Sequence, residues 1–97
     1  MVEEYDSQCE ICKIFSNSNR LKILMSLRDK CRTVNDIAKE TNLPQPVVSQ
    51  HLSIMKLRKI LEIEKKGSHV YYKIKYSEIM DAFDIMIKIR GKIQNEN

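Results

Sequence analysis

The amino-acid sequence predicts a mainly α-helical domain that carries one small β-hairpin. Apolar residues recur at helical spacing through most of the 97 residues. After residue 60 the pattern changes to alternation, on both sides of the turn sequence KKGS. Two short helical segments, separated by a turn of about four residues, precede that hairpin. This is the order of a helix-turn-helix followed by a wing, so we expect one winged helix-turn-helix domain over residues 1–97.

Two helices are expected before the helix-turn-helix. The first is expected over residues 4–15. Its side chains that lie roughly along one stripe are those of Tyr5, Cys9, Cys12 and Phe15. The sequence SNSN then interrupts the pattern, and its Ser and Asn side chains can cap a following helix. That helix, RLKILMSLRD, is expected to bury Leu21, Leu24, Met25 and Leu27.

The helix-turn-helix itself is expected over residues 33–58. Thr33 and Asp36 have capping-box-like spacing, which predicts a helix start. Ile37 and Ala38 would face the core, and Asn42 can adopt the left-handed conformation that ends a short helix.

The second helix of the motif follows a turn anchored by Leu43. Pro44 and Pro46 fit a turn or a first helical turn, where their missing N–H groups are not needed. Over residues 45–58 the expected buried face consists of Val48, Leu52, Met55 and Leu57.

The wing is expected over residues 61–74. Ile63 follows Leu61 at strand spacing, and after the turn three residues alternate with Tyr71 and Lys73, namely Val70, Tyr72 and Ile74.

A last helix of about 15 residues should begin after a capping Ser77. Its apolar residues cover more than one narrow stripe, so it needs a partner outside its own core. A second copy of the chain is the simplest partner for a small domain. We expect dimerisation through residues 1–15 and 77–95, with an interface that includes Tyr5, Ile79, Phe83, Met86 and Ile87.

Composition indicates a soluble protein with a polyanionic partner. Hydrophobic content of 42% and charged content of 31% are typical of a globular domain. Residues 1–12 hold four acidic residues and no Lys or Arg, whereas residues 13–76 hold fourteen Lys or Arg against five Asp or Glu. Such a basic block favours nucleic acid, although a solvated lysine-rich face is the alternative. No apolar run approaches the roughly 20 residues of a membrane span, and the acidic start is unlike a secretory signal. We therefore expect a cytoplasmic protein without a membrane partner.

The head of the second motif helix carries the candidate reading residues. Gln can bond an adenine edge through two bonds, Ser can bond a base or a phosphate, and Val can contact a thymine methyl. Cations and a hydroxyl in the helix and the wing tip would add phosphate contacts. His51 is expected to have a structural hydrogen-bonding role. The candidate DNA-binding residues are Gln45, Pro46, Val47, Ser49, Gln50, Lys56, Lys65, Lys66 and Ser68.

Three segments carry a family resemblance: FSNSNRLKILMSL, TVNDIAKETNLPQPVVSQHLSIMK and KGSHVYYKI. They resemble the ArsR/SmtB family of winged-helix repressors over about residues 10–75. The resemblance implies a homodimer, packed through its first and last helices, that binds an operator with imperfect dyad symmetry until an inducer releases it. It also implies that the positions of Gln45, Pro46, Ser49 and Gln50 touch the major groove, and that the wing turn touches flanking DNA.

The metal sites that the resemblance implies are missing from this chain. Thr33 and Asn35 stand where the family's thiolate sensors carry a Cys-x-Cys pair, and residues 77–93 contain no histidine. Asp81 and Asp84 alone would make a poor zinc site, because zinc prefers Cys and His ligands. We therefore expect a non-classical or absent metal response, with no metal and no cofactor required.

Three thiols remain as candidate sensing residues, Cys9, Cys12 and Cys31. Their odd number argues against a disulfide framework. Cys9 and Cys12 share a helix face at i, i+3 spacing, so they could oxidise together or bind a soft metal, and Cys31 could join them if the fold brings it near. Packing as small buried residues is the alternative reading.

Two rival functions are weighed against DNA binding. An enzyme is not expected, because the sequence offers no phosphate-cradling loop and no convergent catalytic residues. A winged helix that contacts protein or RNA is the other alternative, with Tyr71 and Tyr72 stacking on bases. Alternation places Tyr72 inward, which counts against its stacking on a base. The polar residues at the head of the second motif helix favour duplex DNA.

Overall fold

The computed structural model describes residues 2–96, with side chains from Glu3 to Glu96. Within that part of the chain, five α-helices and one β-hairpin follow one another. In chain order they are α1 (Val2–Cys12), α2 (Ser18–Ser26), α3 (Val34–Thr41), α4 (Gln45–Leu57), β1 (Leu61–Lys66), β2 (His69–Ile74) and α5 (Glu78–Gln94). A 3-10 turn over Lys13–Ser16 joins α1 to α2.

Asn17 forms the break that the SNSN sequence predicts. Its backbone is extended, with φ −133° and ψ 124°, and its side-chain oxygen accepts from the N–H groups of Asn19 at 2.9 Å and Arg20 at 3.1 Å. These bonds satisfy two donors at the start of α2, which would otherwise have no partner in the helix. As a result α2 begins two residues before the expected Arg20, and α1 ends three residues before Phe15.

The buried face of α2 differs from the expected one. Leu24 and Leu27 are buried as expected, but Ile23 is fully buried and Met25 is 46% exposed. The prediction for Met25 was wrong because the helix is rotated so that Ile23, Leu24 and Leu27 supply the core. Met25 instead accepts a weak bond on its sulfur from the Arg28 guanidinium at 3.7 Å.

Both ends of α3 follow the sequence signals. The Thr33 hydroxyl oxygen accepts from the Asp36 N–H at 3.2 Å, and Asn42 is left-handed with φ 59°. The Leu43 N–H then donates to the Ala38 carbonyl at 3.2 Å, which closes the turn between the motif helices. Ile37 is fully buried, as expected.

Helix α4 stands on the core through three side chains. Val48, Leu52 and Met55 are fully buried. The expectation for Leu57 was wrong, because it is 80% exposed. Position 57 falls off the i, i+4, i+7 row that starts at Val48, so its side chain lies on the solvent side.

The hairpin pairs β1 and β2 antiparallel, from Leu61 opposite Ile74 to Lys66 opposite His69. Gly67 has φ 60° in its two-residue loop, a backbone conformation that favours glycine. Tyr72 and Ile74 pack against the core, so the inward alternation is confirmed for both residues. Arg32 adds a short third pairing, exchanging backbone hydrogen bonds with Tyr72 at 3.0 and 2.8 Å.

Helix α5 is attached to the domain by aromatic packing and one ion pair. Phe83 stacks on Phe15 with ring centroids 6.2 Å apart. Arg28 donates two bonds to the Asp84 carboxylate, at 2.6 and 2.9 Å, and this guanidinium lowers the pKa of that carboxyl. Ser77 precedes the helix as expected, but its hydroxyl donates to the Glu78 side chain rather than capping a backbone N–H. None of the described helices combines the length and apolar composition needed to cross a bilayer.

Candidate nucleic-acid interface

The first two turns of α4 present polar side chains away from the core. Pro44 precedes the helix and Pro46 lies in its first turn, where the helix start tolerates a residue without an N–H. The Pro44 carbonyl accepts from the Val47 and Val48 N–H groups at 3.0 and 3.1 Å, which fixes the direction of the helix start. Gln45, Pro46 and Gln50 are exposed, and Ser49 is half-buried.

Val47 and His51, like Ser49, are less available than the exposed residues of this surface. Val47 is half-buried, so only part of its side chain can meet a base. His51 is also half-buried, and its Nδ1 is buried with no hydrogen-bond partner within residues 2–96, so that atom does not form the expected structural bond. Burial, and then the nearby positive charge of Arg20, lowers the pKa of His51. Both effects favour the neutral imidazole over the charged form, so His51 is not expected to add positive charge to this surface.

Two arginines near α4, Arg20 and Arg58, are held by bonds within the protein. Arg20 donates to the carbonyls of Lys13 at 2.8 Å and Ile14 at 3.4 Å. Arg58 pairs with Glu10 at 2.5 Å, and Glu10 also accepts from Lys13 at 3.2 Å. The hydrogen bond from Lys13 is the largest of the effects that lower the pKa of the Glu10 carboxyl, and the positive charge of Arg58 lowers it further. Sequence reasoning could not find these contacts, because each joins segments far apart in the chain or depends on the 3-10 turn.

The remaining candidate phosphate contacts are exposed. Lys56 lies in the last turn of α4, and Lys65, Lys66 and Ser68 lie at the wing tip. Lys66 is partly engaged, because its ammonium lies 5.4 Å from the Tyr71 ring centroid and 4.0 Å from the Glu64 carboxylate. Lys65 is therefore the freer of the two wing lysines.

Replacing Lys65 and Lys66 together with Ala is expected to reduce the salt dependence of duplex binding. Each lysine that neutralises a phosphate releases a counterion, so the slope of log affinity against log salt should flatten by up to about 2. Fluorescence anisotropy at several salt concentrations measures this slope. Lys92 is exposed on α5 and, as Ala, serves as the control. An unchanged slope in the double variant would remove the wing from the interface.

The three thiols are all exposed, which argues against their packing as buried core residues. Cys12 accepts from the Gln8 amide at 3.8 Å, and Cys31 lies 3.8 Å from the Glu64 carboxylate. Across residues 2–96, no group of three or more His, Cys, Asp or Glu side chains is placed to hold a metal ion.

The chain is similar to a family of bacterial regulatory proteins and to individual repressors. The model of the arsR family of bacterial regulatory proteins matches residues 17–61, which include α2, α3 and α4. The transcriptional repressor SdpR of Bacillus subtilis is 30% identical over 86 residues, which cover 89% of this chain and 96% of SdpR. The chain belongs to the arsR family. It is therefore a DNA-binding transcriptional regulator, and the prediction of that class from sequence is confirmed.

This arsR-family chain is also similar to a second repressor and to a solved structure. The transcriptional repressor SmtB of Mycobacterium tuberculosis is 32% identical over 72 residues, covering 74% of this chain and 53% of SmtB. The chain thus spans about half the length of that relative. A homodimeric winged helix-turn-helix DNA-binding domain from Mycobacterium bovis, a possible ArsR-family regulator, aligns over 99% of this chain and 89% of that chain, with a TM-score of 0.84 and 23% identity. The predicted winged helix-turn-helix fold is confirmed, and the family consists of regulators rather than enzymes.

Proposed function

We propose that this regulator is a homodimeric repressor that binds a dyad-symmetric DNA operator in the cytoplasm and has no enzymatic activity. The exposed polar head of α4 carries the proposal. It stands on three fully buried residues, Val48, Leu52 and Met55. A helix fixed in this way can enter a major groove without moving relative to the domain. Both relatives above are named as transcriptional repressors, which supports repression here.

The reading residues follow from exposure and position. Gln45, Pro46, Val47, Ser49 and Gln50 would lie against base edges, since the N-terminal residues of a recognition helix make these contacts. Phosphate contacts would come from Lys56 in α4 and from the wing tip, through Lys65, Lys66 and Ser68.

The proposed dimer uses residues 1–15 and 77–95. Helix α5 exposes Ile85, Met86, Ile89 and Ile93, between 41% and 60% each, and Tyr5 of α1 is 70% exposed. Exposed apolar side chains in this number on a small domain indicate an interface. Ile79, Phe83 and Ile87 are half-buried, so they would join the protomer's own core to this interface. The Mycobacterium bovis domain is described as homodimeric, which supports a homodimer here.

Gln50→Ala is expected to weaken binding to a cognate operator by about 1–3 kcal/mol, because a two-bond contact with a base edge is lost. Ser49→Ala should act in the same direction, and nonspecific binding should change little. Anisotropy titrations against operator and scrambled duplexes measure both quantities. The exposed Gln94 at the end of α5, replaced by Ala, is the matched control. If neither α4 variant differs from wild type, the assigned reading surface is wrong.

A thiol response is the second candidate function. The exposure of Cys9 and Cys12 on one helix leaves both accessible to an oxidant, a sulfur species or a soft metal. The family's usual metal positions lack their ligands in this chain, so we propose that any metal response is non-classical or absent. Operator binding measured with peroxide, sulfide or cadmium, in wild type and in the double Cys9→Ser, Cys12→Ser variant, tests this candidate. A response that persists in the variant would exclude the pair.

A further inference from the structure

The recognition helix carries no charged residue until its last turn. Residues 45–55 read QPVVSQHLSIM, and Lys56 is the first cation of α4. In the major groove, guanine is read mainly by Arg or Lys, which donate to O6 and N7, and cytosine is read by Asp or Glu, which accept from N4. The side chains that recognise a G·C pair most strongly are therefore missing from residues 45–55, the part of α4 that would read the bases.

Neighbouring arginines are not positioned to supply this reading. Four of the five arginines of the chain make bonds within the protein, which leaves Arg90 on α5, the helix assigned to the dimer. Arg20 donates to two carbonyls and Arg58 pairs with Glu10, as described above. The other two donate away from α4, Arg28 to Asp84 and Arg32 to the Ser26 carbonyl at 2.6 Å.

The side chains that remain at the head of α4 match a different base pair. Gln45 and Gln50 are exposed amides, and a Gln amide can accept from adenine N6 while it donates to N7. Pro46 is exposed and Val47 half-exposed, and both offer apolar carbon to the thymine methyl. Ser49 can bond either kind of base.

We infer that the base pairs read by Gln45, Pro46, Val47 and Gln50 are A·T pairs, and that a G·C pair at any of these positions weakens binding. This inference rests on the proposed function, since it specifies the DNA that the same surface binds. It concerns direct contacts in the major groove, which distinguishes it from a preference for the shape of A·T-rich DNA.

Selection from a pool of random duplexes with the full-length chain at fixed salt gives the first test. We expect enriched half-sites with A·T pairs at the positions that lose specificity in the Gln50→Ala variant. Fixed G·C pairs at those positions would overturn the inference while leaving DNA binding intact. No enrichment of any duplex would instead overturn the proposed function itself.

Base analogues in the selected duplex give the second test. Replacing the contacted adenine with 7-deazaadenine removes the N7 acceptor, and replacing thymine with uracil removes the methyl group. We expect 7-deazaadenine to weaken wild-type binding by a factor within the range of about 5 to 150 that a good base contact provides. Gln50→Ala should be insensitive to 7-deazaadenine, and the Gln94→Ala control should respond like wild type. If wild type tolerates both analogues at every selected position, the preference arises from shape and the inference fails.

Discussion

The Met86→Glu variant is expected to be monomeric and to bind the operator about 10²–10⁴-fold more weakly than wild type. Met86 is 41% exposed on the apolar side of α5, so its replacement puts a carboxylate into the proposed interface without disturbing the protomer core. Burial of an unpaired charge disfavours association. A monomer then meets each half-site separately and loses the effective concentration that the linked second helix provides.

Sedimentation velocity and an operator titration measure the two parts of this result. Gln94→Glu introduces the same charge on the same helix at an exposed position and should remain dimeric. Phe83→Glu addresses the same interface less cleanly, because Phe83 also stacks on Phe15 within the protomer. A Met86→Glu protein that still sediments as a dimer would show that α5 is not the interface.

Leu52→Ala is expected to lower the free energy of unfolding by about 2–5 kcal/mol, the usual cost of removing a fully buried Leu side chain and leaving a cavity. Leu52 is fully buried beneath the head of α4, between Val48 and Met55. A loss of this size is a large part of the stability of a small domain. Operator affinity should fall as well once the helix that carries the reading residues is no longer held in place.

Leu57→Ala is the matched control, since it removes the same atoms from the same helix at a position that is 80% exposed. Its effect on the free energy of unfolding should lie within about 0.5 kcal/mol. Denaturant titration followed by circular dichroism measures both variants. Equal losses in the two proteins would contradict the orientation of α4.

Local signals in the sequence were sufficient to predict the elements of this fold. Thr33 caps the start of α3 with its hydroxyl, and Asn42 ends the helix in a left-handed conformation. The pair of prolines marks the start of α4. The alternation on both sides of the KKGS turn predicts the hairpin, and the structure supplies its register. Each of these signals depends on residues close in sequence, where backbone geometry and side-chain capping decide the structure.

Errors arose where the outcome depends on contacts between distant segments. Met25 and Leu57 were expected to be buried because they are apolar and lie near the buried stripe, but tertiary packing selects only part of an apolar arc. The ion pairs of Arg28 with Asp84 and of Arg58 with Glu10 join separate helices, and no spacing rule predicts them. At the candidate interface, sequence alone could not separate the anchored arginines from the free lysines.

The most direct test of the central claim is a titration of the isotopically labelled protein with operator duplex, followed by NMR chemical shifts of the backbone amides. A homodimer on a dyad-symmetric site, with its two reading helices about 34 Å apart, predicts the largest shifts at residues 45–50 and 65–69. It also predicts small shifts along α5, with one set of signals for both protomers. Shifts concentrated in α1 or α5, with residues 45–50 unchanged, would contradict the account.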